Sequence, residues 1–175
     1  MLRLAFIELS RTIRHGCSIS SFVGPVKIVL AIISPRRTGP SGPPAELLQL
    51  YLERAARFTP CALQVFPNED KFRYSLANSP TRTRPTLLLA DSRGQQLTSE
   101  DLASILGTSQ DTGTQQLILA IGPADGWSTA ALAVATRTIA FGRITLPHEL
   151  AAVIAAEQLY RALTILAGHP YHSGH

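Results

Sequence analysis

The sequence is short of the residues that usually announce chemistry. It has two cysteines in 175 residues, Cys17 and Cys61. That is too few for a disulfide framework, and neither sits in a CxxC or a Cys/His cluster with zinc-ligand spacing. A reducing, cytoplasmic setting without a metal is expected. Lysine is nearly absent, with Lys27 and Lys71 standing against fourteen arginines. No stretch approaches the ~18 unbroken apolar residues of a membrane span, so no membrane insertion is expected. GxGxxG, a Walker lysine, GxSxG, HExxH and a paired-carboxylate motif are all missing, which leaves dinucleotide, P-loop and hydrolase readings without support. The length is also too small for a barrel of about 250 residues.

Apolar residues, by contrast, are plentiful, at 45% against 16% charged. Such a chain can bury a core, so wholesale disorder is excluded. The net charge is +4, and the excess of cations lies in the first two thirds of the chain. Arginine binds phosphates through a planar fork and stacks on bases. GC-rich genomes also write arginine in place of lysine. The charge is therefore compatible with an RNA partner without establishing one.

Residues 1–25 differ from the rest: Arg3, Arg11 and Arg14 stand among scattered serines with Glu8 as the one acid. This is the composition of a transit peptide. The favoured alternative is a start site placed too far upstream, because Val26 opens the strand-like run VKIVLAII. The segment is excluded from the fold and expected to be poorly ordered, leaving 26–175 as a single domain.

Within that domain, apolar runs at Lys27–Ile33, Cys61–Phe66, Thr86–Ala90, Gln116–Ile121 and Thr138–Phe141 read as buried strands. Ile144–Leu146 reads as short and extended. Helices are expected over Ala45–Phe58, with Leu47, Leu50, Tyr51, Arg54 and Phe58 on one face, from Ser99 as cap to about Leu106 with Gly107 ending it, from a Ser128 cap to about Ala135, and from Pro147 to about Ala167. Asn68–Pro85, basic and proline-containing, reads as an irregular connection. Alternating strands and helices predict an α/β fold with a mostly parallel sheet flanked by helices, ligands binding at the carboxyl ends of the strands.

Three loops occupy those ends: Asp91–Gly94, Gly122–Gly126 and Gly142–Leu146. Each also has an ordinary reading. Two glycines in a turn are common in α/β proteins, and Asp91 suits a plain turn. His148, at the head of the last helix, either hydrogen-bonds a ligand as neutral imidazole or helps to cap the helix. The tail His169-Pro170-Tyr171-His172 offers a phenol for stacking and an imidazole for proton transfer, or is a frayed end. The helix from Pro147 is apolar over most of its surface, as core or as a dimer interface.

Three stretches taken in order, LLLADSRGQQLTSEDLA, LILAIGPADGWS and FGRITLPHELAAVIAAEQLYRALTILAGHPYH, resemble the RlmH family, SPOUT-superfamily methyltransferases of bacterial large-subunit ribosomal RNA. The resemblance runs from Thr86 to His172, with VKIVLAI and Tyr51-Leu52-Glu53-Arg54 fitting more loosely. It implies a SPOUT-type α/β knot, with a deep C-terminal trefoil knot, and an obligate homodimer. It also implies transfer of a methyl group from S-adenosylmethionine to N3 of a pseudouridine in 23S ribosomal RNA on the assembled ribosome. Carried over by position, the cofactor lies against Ala90 and Asp91, Gly122, and Phe141, Gly142, Arg143, Ile144, Thr145 and Leu146. His172 or His148 would serve as base, with Tyr171 positioning or stacking on the target. The chain departs from the family pattern at Pro123, where a second glycine is usual, and at Ala152, where a basic residue is common. The family's middle helix is reduced here to the Phe72–Pro85 stretch, with Arg73, Arg82 and Arg84 as possible substitutes for its cations. These departures motivate an alternative: a catalytically impaired RNA- or ribosome-binding protein of the same fold.

Overall fold

The computed structural model describes residues 25–35 and 39–172. The expectations for residues 1–24 lie outside them. Five strands form one sheet: β1 (Lys27–Ile33), β2 (Cys61–Phe66), β3 (Thr86–Gln96), β4 (Gln116–Ile121) and β5 (Arg137–Ala140). They pair in the order β2-β1-β4-β3-β5, every pair parallel. Helices α1 (Pro43–Ala55), α2 (Glu69–Ala77), α3 (Ser99–Asp111), α4 (Thr129–Val134) and α5 (His148–Leu166) connect or follow them, and a single 3₁₀ turn covers Pro170–His172.

The sequence of β1 explains its place inside the sheet. Ile28, Leu30 and Ile32 face a large core with α1, α3 and α5, while Val29, Ala31 and Ile33 face a smaller one with α2 and α4. Alternate residues of a strand point to opposite faces, so a strand covered on both sides must be apolar throughout. Leu159 and the alanines of α5 fill the larger core.

Several expectations need correction. Asn68–Pro85 is irregular only in its second half: Asn68 caps α2 by accepting from the Lys71 amide at 2.9 Å, Glu69 and Asp70 occupy the first turn, and residues 78–85 follow without regular structure. Helix α3 is capped by Thr98, not Ser99, in a reciprocal capping box with Asp101. It continues through Gly107, where the absent side chain admits Leu166 of α5: a Cβ would stand 3.3 Å from its Cδ2. On α1 the buried residues are Leu48, Leu52 and Ala55, whereas the expected Leu47 and Leu50 are 45% and 39% exposed. Residues Ile144–Leu146 form no strand.

Strand β3 is longer than expected because Asp91–Gly94 is a bulge within it. Ile139 of β5 pairs with Ala90 before the bulge and with Gln95 after it. Residues 91–94 therefore arch past β5. Gly94 is required there: a Cβ would lie 2.6 Å from the backbone N and C of Ile139.

Candidate functional site

The carboxyl ends of β3, β4 and β5 open into a cavity of about 540 Å³. That is within the usual range of small-molecule sites, about 300–1,000 Å³. All three loops line it, and so does the start of α5 through His148 and Ala151. Of the residues expected at a cofactor, Ala90, Asp91, Gly122, Phe141, Gly142, Ile144, Thr145 and Leu146 line the cavity, and Arg143 does not.

Trp127, which the sequence reading missed, organises one wall. Its indole Nε1 donates to the Ala90 carbonyl at 2.8 Å, tying the β4 loop to the end of β3. The ring passes so close to Gly122 that a Cβ there would stand 2.7 Å from Trp127 Cε2. A solitary tryptophan after a glycine-flanked turn was the available signal. The Pro123 carbonyl accepts from the Gly126 amide at 3.0 Å, closing a turn in which Gly126 has φ 84°. Ser128 caps α4 and is itself held by the Glu69 carboxylate, to which its amide donates at 3.0 Å.

The polar lining is sparse. The Asp91 carboxylate accepts from the Arg93 amide (2.8 Å), Nε (3.0 Å) and Nη2 (2.9 Å). The hydrogen bond from the Arg93 side chain holds its carboxyl below the usual carboxylate range. His148 lies at the helix start with its Nε2 buried and without a hydrogen-bond partner among the described residues. Buried polar atoms normally find a partner, so this nitrogen is free for a ligand. Gly142, at φ 130°, holds a backbone conformation that side chains rarely adopt. No group of three His, Cys, Asp or Glu suited to a metal is found among the described residues.

His169, Pro170 and Tyr171 of the tail do not line this cavity. Tyr171 packs on Tyr160, ring centroids 4.7 Å apart, under the guanidinium of Arg161 at 4.9 Å. Its hydroxyl donates to Glu157 Oε1 at 3.2 Å, and Glu157 also pairs with Arg161 at 2.7 Å. Burial is the main cause that pushes the Tyr171 phenol up to about 12. At 1.5 Å per helical residue, these partners sit roughly 14–20 Å along α5 from His148. The backbone of His172 ends the 3₁₀ turn; its side chain lies outside what is described. Cys61, half-buried, has its thiol pushed up to about 11 by burial, which disfavours the reactive thiolate.

A sheet whose strand ends carry one loop-walled cavity, closed by the head of the final helix, defines an α/β small-molecule-binding enzyme fold. The family described as "Predicted SPOUT methyltransferase" matches residues 32–172. The ribosomal RNA large subunit methyltransferase H of Koribacter versatilis is 49% identical over 126 residues, which is 71% of this chain and 85% of that protein. That of Sinorhizobium fredii is 42% identical over 150 residues, 75% and 91% of the two chains. Among solved structures, the SpoU methyltransferase AviRb from Streptomyces viridochromogenes, in complex with AdoMet, aligns with a TM-score of 0.47 and 15% identity, covering 83% of this chain and 59% of that one. The chain belongs to the SPOUT methyltransferases, and within them to the family of ribosomal RNA large subunit methyltransferase H.

Proposed function

We propose that the cavity binds S-adenosylmethionine and that the protein, as a homodimer in the cytoplasm, methylates N3 of a pseudouridine in 23S ribosomal RNA on the assembled ribosome. The observation that carries this reading is the convergence of the three strand-end loops on one cavity in a chain of this family. The lining fits the cofactor. Ile121, Phe141 and Leu146 offer apolar walls for a purine, the glycine-bearing loops bring backbone groups close, and His148 Nε2 lacks a partner among the described residues. When bound, the cofactor supplies a methyl carbon made electrophilic by its sulfonium.

The protein's part is placement. Trp127 holds the β4 loop on β3 so that Gly122 and Ala90 face the same space, and orientation of this kind contributes much of the rate in transfer reactions. The deep trefoil knot of this fold type belongs to the same reading.

A second copy is supported by the outer faces of α1 and α5. Leu47, Leu50, Leu150 and Leu166 on these helices, and Phe58 just past α1, are each 37–45% exposed, apolar surface that a second copy would cover. Tyr171 packs on Tyr160 and Arg161, well along α5 from the cavity of its own subunit, so we assign it, with His172, to the partner's site. There Tyr171 would position the target base, with His172 or His148 as base.

The test is methyl transfer to ribosomes, free ribosomal RNA and tRNA side by side, with calorimetry for the cofactor. Methylated pseudouridine in ribosomes alone is expected. No binding heat at millimolar cofactor, together with retained ribosome binding, would favour the impaired RNA-binding alternative.

A further inference from the structure

Among the residues lining the cavity, Arg93 is the one cation of fixed charge. It is fixed at one end and free at the other. Asp91, with its side chain 6% exposed, accepts from Arg93 Nε and Nη2, while the Arg93 side chain is 74% exposed. A guanidinium has five N–H donors. Two are spent on Asp91, leaving both on Nη1 and one on Nη2. The group leans across from the β3 bulge to the β4 turn, where a Cβ on Gly126 would meet Nη2 at 3.8 Å. A planar donor fork is thus held on the wall of the cavity, its side chain largely exposed to solvent.

We infer that Arg93 is a catalytic residue that faces the reacting base and stabilises the negative charge on its imide as N3 gives up its proton. This rests on the function proposed above. In the balanced step, the N3–H proton passes to solvent or to a base. The N3 electron pair forms the new N–C bond, and the C–S bond breaks with its electrons remaining on a neutral thioether. The imide charge is shared with the flanking carbonyl oxygens, which are acceptors for the free Arg93 donors. The other titratable groups lining the cavity are Asp91 on β3, Asp125 in the β4 turn and His148 on α5. Asp91 is already engaged by Arg93, so the pair presents its positive end to the cavity. A cation beside an acid favours the ionised form, and Arg93 lowers the pH at which the base becomes a nucleophile.

The experiment measures kcat and KM on ribosomes against pH for the parent, Arg93→Ala and Arg93→Lys, with thermal melts to verify folding and calorimetry for S-adenosylmethionine. Expected for Arg93→Ala is a kcat about tenfold lower at neutral pH, its rising limb displaced upward by about one pH unit, with cofactor affinity kept. Arg93→Lys, which keeps the charge without the fork, is expected to fall between. A variant whose kcat profile is unmoved while KM and salt dependence change would make Arg93 a phosphate anchor and overturn the inference. So would weakened cofactor binding with no displaced limb. If Arg93→Ala does not fold, Arg93→Lys and Arg93→Gln carry the same comparison. A parent that transfers no methyl to any RNA overturns the function and this inference with it.

Discussion

The two ends of α5 have been put to opposite uses. At its C-terminal end polar groups are paired: Glu157 accepts from Arg161 and Tyr171, Arg161 covers the Tyr171 ring, and Tyr160 packs beneath. At its N-terminal end His148 keeps a buried nitrogen without a partner among the described residues, facing loops tied to each other rather than to the helix. Buried polar atoms cost free energy unless bonded. A satisfied cluster therefore marks where the chain is being held, and an unsatisfied one where something else is to be held. The tyrosine that the sequence placed in the reaction belongs, within one subunit, to the holding end.

The strongest way to break this contrast is at the β3 bulge, on which the site end is built. Gly94→Ala sets a methyl group 2.6 Å from two backbone atoms of Ile139, and backbone cannot swing aside as a side-chain tip can. We expect a loss of about 3 kcal/mol or more, read as a fall in Tm on the order of 10 °C, with cofactor binding lost as well. A melting temperature within a degree of the parent would show that residues 91–94 do not arch tightly past β5.

Gly122→Ala sharpens the contrast at lower cost. Its Cβ meets the Trp127 ring at 2.7 Å, and that ring is fixed by its bond to Ala90 and by contact with Phe72, centroids 5.8 Å apart. Either the indole or the Gly122 loop must shift, and both line the cavity. We expect a stability loss of about 1–2 kcal/mol but at least a tenfold rise in the Kd for S-adenosylmethionine, by calorimetry. An unchanged Kd would remove Gly122 from the cavity wall that matters.

How far the sequence could be read follows the same division. The strands were legible because parallel strands buried on both faces have no room for polar residues, as in Ile28–Ile33. The loops were legible because such sheets bind at their strand ends. Helix α2 was not: three prolines in and around its segment outweighed the Asn68 cap and the acids beside it. The end of α3 was misplaced because Gly107 has a packing reason, Leu166, which only tertiary structure supplies. The face of α1 was misread because apolar residues lie on more than one side of that helix, and sequence cannot say which side meets the sheet. Trp127 and Arg93 were passed over because nothing in the sequence shows that their side chains turn to Ala90 and Asp91.

The smallest effect is expected at the paired end, and its pH dependence identifies it. Tyr171→Phe removes one hydroxyl that donates to Glu157 at 3.2 Å, a loss of about 1 kcal/mol. The phenol is pushed from its ordinary 10.0 up to about 12, which means the fold favours its protonated form. For such a group the stabilisation is complete below the unfolded value and is lost as pH rises through the folded one. The parent should therefore lose stability between about pH 10 and pH 12, in denaturant melts, through a component that Tyr171→Phe lacks. The gap between parent and variant is expected to be constant up to pH 9 and to close above it. A gap that stayed constant to pH 11.5 would mean that the fold does not hold the phenol protonated, whether by burial or through Glu157, and that Tyr171 is no part of the satisfied cluster.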